Sequence, residues 1–322
     1  MNPKISVILP VFNCEAHIVE SIASILNQTF VQFELIIIDD CSKDKTVEII
    51  KKNSDKRIFL HQKIKNTGYT DSLNWGIKIA QGKYIARMDA DDICHPERLE
   101  KQYNYLENNS EILVCGTNAQ IIGKDFCFNY PERHAEIMIN LLFGSSLIHP
   151  SVMGQRKVFQ ENPYDRTKEP AEDYDLWVRL TAKGKLANLK DVLLYYRVHD
   201  KQISNAQKYK QEKSARESQL AMFKKLDYDR DKYSDSLVKN AIWPHLNINK
   251  SDFKKSLLWF NEIMDSQQKF DRKLLRKALS RKQYNFLKFY VEHKELGDLK
   301  GIINGIFFKK FPLKAIKFFK NK

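Results

Sequence analysis

The chain has 322 residues, of which 43% are hydrophobic, 11% aromatic and 29% charged. These proportions are ordinary for a folded globular protein and exclude a wholly disordered, collagen-like or coiled-coil chain. Its apolar runs stay well below the roughly 18 to 20 residues that span a bilayer, whereas its net charge of +14 is unusually high.

The positive charge is concentrated in the last third of the chain. Residues 201–322 hold 29 Lys and Arg against 13 Asp and Glu, a net charge of +16, whereas residues 1–200 hold 25 against 27, a net charge of −2. This asymmetry indicates an anionic partner for the C-terminal region, either nucleic acid or an acidic membrane surface. A solvated lysine-rich helical surface is the alternative interpretation.

Strand-like and helix-like patterns alternate along the first 90 residues. Strands are predicted at ISVILPVF, ELIIID, RIFLH and KYIARMD, and helices at residues 15–26, 45–52 and 69–80. The alternation predicts parallel strands joined by right-handed crossovers, in an α/β sheet with helices on both faces. Ligands bind at the carboxyl ends of such strands, which here are followed by residues 10–13, 39–40, 66–68 and 89–92.

The alternation weakens from about residue 111. The segment ILVCGTNAQIIG predicts two extended segments, and helices are predicted near residues 135–143 and around EDYDLWVRL. From residue 206 to about residue 295 the patterns predict helices, with Pro244 as the only strong break.

Carboxylates accumulate at the ends of two predicted strands. The loop Met88–Asp92 follows one strand directly, and Asp39 and Asp40 end another. Carboxylates on one short loop repel each other, so a cation is their natural partner, and hard oxygen ligands suit Mg²⁺ or Mn²⁺. The alternative is an acidic turn that caps the helix beginning near Pro96. Of Asp39 and Asp40, one is expected to cap a helix and the other to accept hydrogen bonds from a base or a ribose.

The cysteines and the N-terminus both indicate a cytoplasmic protein. Five cysteines are odd in number and form no CxxC pair, so neither a zinc site nor a disulfide framework is predicted, and a reducing compartment fits. The segment MNPKISVILPVFN lacks the regions of a signal peptide.

Seven motifs in a fixed order carry a family resemblance. They are SVILPVFN, SILNQTF, ELIIIDDCSKDKT, NTGYTDSLNWGIKIAQGKYIARMDADD, HPSV, EDYDLWVRL and YRVHDKQIS. Over roughly residues 3–204 the chain resembles family 2 glycosyltransferases with the GT-A fold. The resemblance implies an α/β fold of the GT-A type, a Rossmann-like mixed sheet flanked by helices, with a C-terminal helical extension.

The resemblance also implies which residues bind the nucleotide sugar. Pro10 and Phe12 match the end of the first strand, where the family cradles the base, and Asp40 matches the carboxylate that reads the uracil ring. Asn66 and Gly68, after the third strand, are assigned to the same site.

The remaining motifs imply a metal site and a catalytic base. Asp91 matches the direct metal ligand, Asp89 lies nearer the ribose and the metal's water shell, and His199 matches a late histidine that closes over metal and diphosphate. Asp173 matches the catalytic base, with a helix N-terminal charge as the alternative. The residues assigned to the acceptor side are His149, for which a structural hydrogen-bonding role is the alternative, and Glu172.

The implied enzyme is an inverting hexosyltransferase. A divalent cation, Mn²⁺ or Mg²⁺, would stabilise the departing diphosphate, and one carboxylate would deprotonate the acceptor hydroxyl. The expected donor is a nucleotide sugar, UDP-linked, and the expected acceptor a glycan or lipid-linked hydroxyl in bacterial capsule, O-antigen or exopolysaccharide synthesis. The rival in the same class is a polyprenyl-phosphate glycosyltransferase. A basic nucleic-acid-binding protein is disfavoured, because no recognised binding motif is present and the acidic loops would repel phosphate.

The C-terminal region departs from the family pattern. Processive members carry a QxxRW motif and flanking transmembrane helices, and this chain has neither, so we expect one sugar per encounter. We assign residues 1–205 to the catalytic domain and residues 206–322 to a basic, mainly helical region. Within it, residues 297–322 interleave lysines with large apolar residues, which predicts an interfacial amphipathic segment on an anionic membrane, at the inner face of the plasma membrane. A helix packed on the catalytic domain is the alternative.

Overall fold

The computed structural model of the chain describes residues 2–199, 208–245, 247–265 and 269–293. It divides into two compact units, residues 1–219 and residues 220–322. The predicted interfacial segment at residues 297–322 lies outside the described residues.

The described part of the first unit is built on a mixed sheet. Its strands are β1 Ile5–Val11, β2 Phe33–Asp39, β3 Ile58–Gln62, β4 Tyr84–Arg87, β5 Ile93–Cys94, β6 Ile112–Ile121, β7 Cys127–Phe128, β8 Met153–Gln155 and β9 Lys185–Tyr196. Their spatial order is β3-β2-β1-β4-β8-β6-β9-β5, with β7 paired to β6 outside this order.

Helices flank this sheet and continue into the second unit. Those before residue 181 are α1 Ile18–Leu26, α2 Thr46–Lys51, α3 Tyr69–Ile79, α4 Arg98–Asn108, α5 His134–Asn140, α6 Arg156–Glu161 and α7 Glu172–Leu180. The later helices are α8 Lys208–Phe223, α9 Asp235–Ile242, α10 Lys250–Asp265 and α11 Arg272–His293.

The strands at the centre of the sheet are apolar runs because they are buried. Every residue of β1 and β2 is buried, because helices cover both faces of parallel strands in this architecture. Strand β1 pairs in parallel with β2 and with β4, so the carboxyl ends of all three lie at one edge of the sheet. Beyond β4 the strand β8 runs antiparallel, and the sheet becomes mixed.

The prediction of two extended segments in ILVCGTNAQIIG is wrong, because β6 is one continuous strand. Its register with β9 shifts on both sides of Asn118. The Asn118 side chain donates to the Lys190 carbonyl over 2.9 Å and accepts from the Tyr130 backbone N–H over 3.0 Å. Lys190 is skipped in the shifted register, so the bond to its carbonyl satisfies a backbone group that the irregular ladder leaves unpaired, and β6 continues without a break.

The helical region after residue 206 is interrupted at more places than the predicted break at Pro244. Helix α9 begins after Ser234, whose side chain caps it by accepting from the Leu237 N–H. Helix α11 begins after Asp271, whose carboxylate accepts from the Leu274 N–H over 2.9 Å. Both are short polar side chains that favour helix starts. Every helix within the described ranges is too short or too polar to cross a membrane.

Candidate active site

The loops that follow β1 and β2 are hydrogen-bonded to each other at the shared sheet edge. The Asn13 N–H donates to Ser42 Oγ over 2.9 Å, and Asn13 Oδ1 accepts from the Lys43 N–H over 2.8 Å. Asn13 has a φ of 49°, a left-handed conformation that asparagine tolerates better than most residues. Pro10 is buried in β1, and Phe12, one residue beyond the strand, is 48% exposed.

Asp40 is buried at this edge and binds the loop after β3. Its carboxylate accepts from Lys63 Nζ over 3.0 Å and from the backbone N–H groups of Thr67 and Gly68 over 2.9 Å each. Gly68 has a φ of 98°, in the region that favours glycine. The structure therefore brings Asp40 and Gly68 into contact, while Asn66 beside them is exposed.

Three aspartates follow β4 and lie close together. The carboxylates of Asp89, Asp91 and Asp92 each place one oxygen within 4.8 Å of the others. His199 Nε2 lies 2.9 Å from Asp91 Oδ2, and the backbone N–H of Arg197 donates to Asp92 Oδ1 over 2.8 Å. The end of β9 thus closes over this acidic cluster, bringing together the residues predicted as metal ligands.

The acidic cluster has the properties of a cation site. Burial raises the pKa of Asp89, and burial together with the charges of Asp89 and Asp91 raises the pKa of Asp92 well above its usual range. Asp92 Oδ2 is buried with no hydrogen-bond partner. A divalent cation would restore the ionised form of these groups, and carboxylate oxygens are the ligands that Mg²⁺ and Mn²⁺ prefer. The residues present therefore fit such an ion.

His149 is partly buried and lies between two tyrosines. Its Nε2 lies 2.9 Å from Tyr164 Oη and its Nδ1 lies 3.3 Å from Tyr69 Oη. Burial and the positive charge of Arg87 lower the pKa of His149 well below its usual range. The imidazole is therefore neutral near pH 7, and both of its nitrogens face phenol groups.

Helix α7 places two acidic residues in its first turn. Asp173 is half-buried, and its Oδ2 lies 3.4 Å from the donating Ser145 Oγ. Burial raises the pKa of Asp173. Glu172 is buried beside it, 4.0 Å from His149 Nδ1, and burial together with the Asp173 charge raises the pKa of Glu172 to about 8. Glu172 is therefore protonated near pH 7.

We expect the Glu172→Gln variant to lose part of the pH dependence of stability. The folded protein keeps a proton on Glu172 up to about pH 8, whereas the unfolded chain releases it near 4.5. The stabilisation from this group is therefore fully present below pH 4.5 and is lost as the pH rises towards 8. Thermal melts across this interval should show a falling Tm for the wild type and a flatter profile for Glu172→Gln. The exposed Glu161 provides a control substitution, and parallel profiles for Glu172→Gln and the wild type would contradict the assignment.

The structure adds residues that sequence reasoning missed. Lys63 binds Asp40, Tyr164 binds His149, and Asp92 completes the acidic cluster. Arg87 forms an ion pair with Asp89 over 2.5 Å. Two of these had a local signal: Asp92 directly follows the DAD triplet, and Arg87 is a charged residue inside an apolar strand pattern.

The chain is similar in sequence to known proteins. Residues 6–165 match the sequence profile described as glycosyl transferase family 2. An uncharacterized glycosyltransferase of Haemophilus influenzae is 35% identical over 230 aligned positions, and the match covers 66% of this chain and 71% of the relative.

Two solved structures are similar to the chain at lower identity. The crystal structure of S. aureus TarS 1-349 in complex with UDP-GlcNAc matches with a TM-score of 0.61 and 17% identity, over 92% of this chain and 95% of that one. The mannosyltransferase PcManGT from Pyrobaculum calidifontis, in complex with GDP-Man and Mn²⁺, matches with a TM-score of 0.55 and 15% identity, over 95% of this chain and 80% of that one. At these identities the likeness shows the fold alone, and it confirms the predicted mixed sheet flanked by helices.

Proposed function

The chain belongs to glycosyl transferase family 2 and has the GT-A fold, and from this premise we propose that it transfers a hexose from a UDP-linked sugar to an acceptor hydroxyl with inversion. The observation that carries the proposal is that one buried arginine, Arg87, acts on two separate acidic groups. The acidic cluster lies at the end of β4, and the partly exposed Asp173 lies at the start of α7, with the buried Arg87 acting electrostatically on both.

The nucleotide is assigned to the edge formed by β1, β2 and the loop after β3. Phe12 offers an exposed ring for the base, and Asp40 has one acceptor position left beyond its three donors. A uracil N–H is a donor of the right kind for that position. The binding of UDP-GlcNAc by TarS and of GDP-Man by PcManGT is consistent with a nucleotide sugar in this fold.

Asp91 and His199 would hold a divalent cation, with Asp89 beside them. When bound, Mn²⁺ or Mg²⁺ supplies Lewis-acid stabilisation of the departing diphosphate. The chain's own contribution is to hold these side chains in place, because Arg197 donates from its Nε to the Asp91 carbonyl over 2.8 Å.

Asp173 is assigned as the general base. As the acceptor oxygen bonds to the anomeric carbon, the bond from that carbon to the diphosphate oxygen breaks, and the acceptor's proton passes to Asp173. Its partial exposure leaves it open to an acceptor, and a raised pKa makes a carboxylate a stronger base. One attack from the face opposite the leaving group inverts the anomeric centre.

A donor panel tests the proposal. UDP-glucose, UDP-galactose, UDP-GlcNAc and GDP-mannose are incubated with the full chain and a mixture of glycan acceptors, with Mn²⁺ or with EDTA, and released nucleoside diphosphate is measured. We expect release from at least one UDP-sugar that depends on both acceptor and metal. Release from none of the sugars, or release unaffected by EDTA, would contradict the proposal.

The acceptor is proposed to be a glycan or lipid-linked sugar of a bacterial surface polysaccharide, met at an anionic membrane through residues 297–322. The support is the charge of the C-terminal region, +16 over residues 201–322. Full-length protein should sediment with anionic liposomes at low salt and be released as salt rises, whereas a chain ending at residue 296 should stay in the supernatant and keep its transfer activity. A full-length protein that does not sediment at low salt would contradict the membrane proposal.

A further inference from the structure

Arg87 is a buried cation whose hydrogen bonds are incomplete. It ends β4 and is 4% exposed. Its Nη2 contacts the Tyr69 hydroxyl and lies 2.5 Å from Asp89 Oδ1. Its Nε and Nη1 are buried with no hydrogen-bond partner. A guanidinium carries five N–H donors, and leaving donors of a buried charge unpaired is costly. The unpaired groups therefore indicate a ligand that accepts from them.

Arg98 shows that burial alone does not explain the unpaired donors. This neighbour on α4 is fully buried, yet its Nε donates to Gln102 Oε1 over 3.1 Å and its Nη2 donates to the Arg87 carbonyl over 2.6 Å. Its Nη1 contacts the sulfur atoms of Met88 and Cys94. Every nitrogen of Arg98 thus has a partner, whereas Arg87 keeps two nitrogens without one.

The contacts of Arg87 indicate which ligand would accept hydrogen bonds from its unpaired donors. The guanidinium pairs through its Nη2 with Asp89 of the acidic cluster. The same Nη2 contacts the Tyr69 hydroxyl, which lies 3.3 Å from His149 Nδ1, and that ring nitrogen lies 4.0 Å from the Glu172 carboxylate. The guanidinium is therefore in contact with the acidic cluster and is linked through Tyr69 and His149 to the acidic pair of α7.

In the proposed reaction the transferred sugar must lie between the acidic cluster and Asp173. The anomeric carbon is bonded to the diphosphate at the acidic cluster, and the attacking hydroxyl is next to Asp173. We propose that the Nε and Nη1 groups of Arg87 bind oxygen atoms of the transferred hexose and so contribute to donor-sugar selection. The inference rests on the proposed function and adds to it a residue that recognises the sugar rather than the nucleotide.

Calorimetry with two ligands tests this role. UDP and UDP-GlcNAc, or the tightest sugar from the donor panel, are titrated with Mn²⁺ into wild-type protein, Arg87→Lys and the control Arg98→Lys. Lysine keeps a positive charge beside Asp89 and removes the Nε and Nη1 donors. We expect Arg87→Lys to keep its affinity for UDP and to lose about 10- to 100-fold in affinity for the sugar nucleotide, the loss expected for hydrogen bonds from a charged donor. Arg98→Lys should keep both affinities.

Three outcomes of the titrations would overturn the inference. Unchanged binding of both ligands by Arg87→Lys would show that Arg87 does not contact the sugar, and equal losses for UDP and the sugar nucleotide would assign it to the diphosphate. The same selective loss in Arg98→Lys would make the effect a general consequence of disturbing this buried region. A wild type that binds neither ligand would instead reject the proposed function itself.

A structure of the unaltered protein gives a test that survives misfolding of either variant. Crystals of the wild-type chain with Mn²⁺ and the tightest sugar nucleotide should show Arg87 Nε or Nη1 within about 3.2 Å of a sugar oxygen. A sugar that makes no hydrogen bond to Arg87 in that complex contradicts the inference.

Discussion

Replacing Asp173 by asparagine should lower turnover by about 10²- to 10⁴-fold, the usual contribution of a general base. Asparagine keeps the shape of the side chain and its contact with Ser145, but its amide cannot accept the acceptor's proton. Asp173 lies in the first turn of α7 and is half-buried, so removing its charge should leave the nucleotide-binding edge unchanged. Donor affinity, measured by calorimetry, should therefore survive.

Asp175 offers a matched control for this substitution. It lies in the same helix turn and is tied to Arg179 Nε over 2.7 Å, so Asp175→Asn changes a carboxylate of α7 that the reaction does not use. We expect turnover close to wild type for this control. Near-normal turnover in Asp173→Asn would refute the base assignment, and a product with the donor's anomeric configuration, seen by NMR, would refute the single displacement.

Removing the metal, or Asp91→Ala, should abolish metal-dependent binding of UDP. The Asp91 carboxylate is one of three in the acidic cluster and is the one that contacts His199. Without it a divalent cation would lose the ligand that joins the loop after β4 to the end of β9. EDTA should stop transfer, and added Mn²⁺ should restore it in the wild type but not in Asp91→Ala.

The control for Asp91→Ala is Asp191→Ala. Asp191 is an exposed carboxylate of β9 that pairs with Lys101 over 2.7 Å, far in sequence from the loop after β4. Calorimetry with UDP in the presence and absence of Mn²⁺ should show metal dependence in this control and in the wild type. Full UDP affinity with Mn²⁺ in Asp91→Ala would contradict the metal assignment.

Local sequence patterns were sufficient to predict much of the fold. The apolar runs of β1 and β2 predicted buried strands because parallel strands are covered on both faces. Helix α7 coincides with the predicted EDYDLWVRL segment, since its apolar residues recur at helical spacing. The carboxylates after β4 predicted a cation site from composition and position alone, because like charges on a short loop require a counter-charge.

Other features depend on contacts that no local pattern contains. His199 reaches Asp91 across 108 positions of the chain, and Glu172 gains its raised pKa from burial that only the packing of α7 creates. The direction of β8 and the continuity of β6 likewise depend on which strand lies alongside.

The sequence by itself determined the fold class, the order of most elements and the loops that carry the chemistry, because hydrophobic periodicity and strand-end polarity are local properties. Only the tertiary structure decided that Arg87 is buried with unpaired donors, in contact with Asp89 and linked through Tyr69 and His149 to Glu172. The reason is physical: burial and hydrogen-bond satisfaction depend on atoms contributed by distant segments, which meet only when the chain has folded.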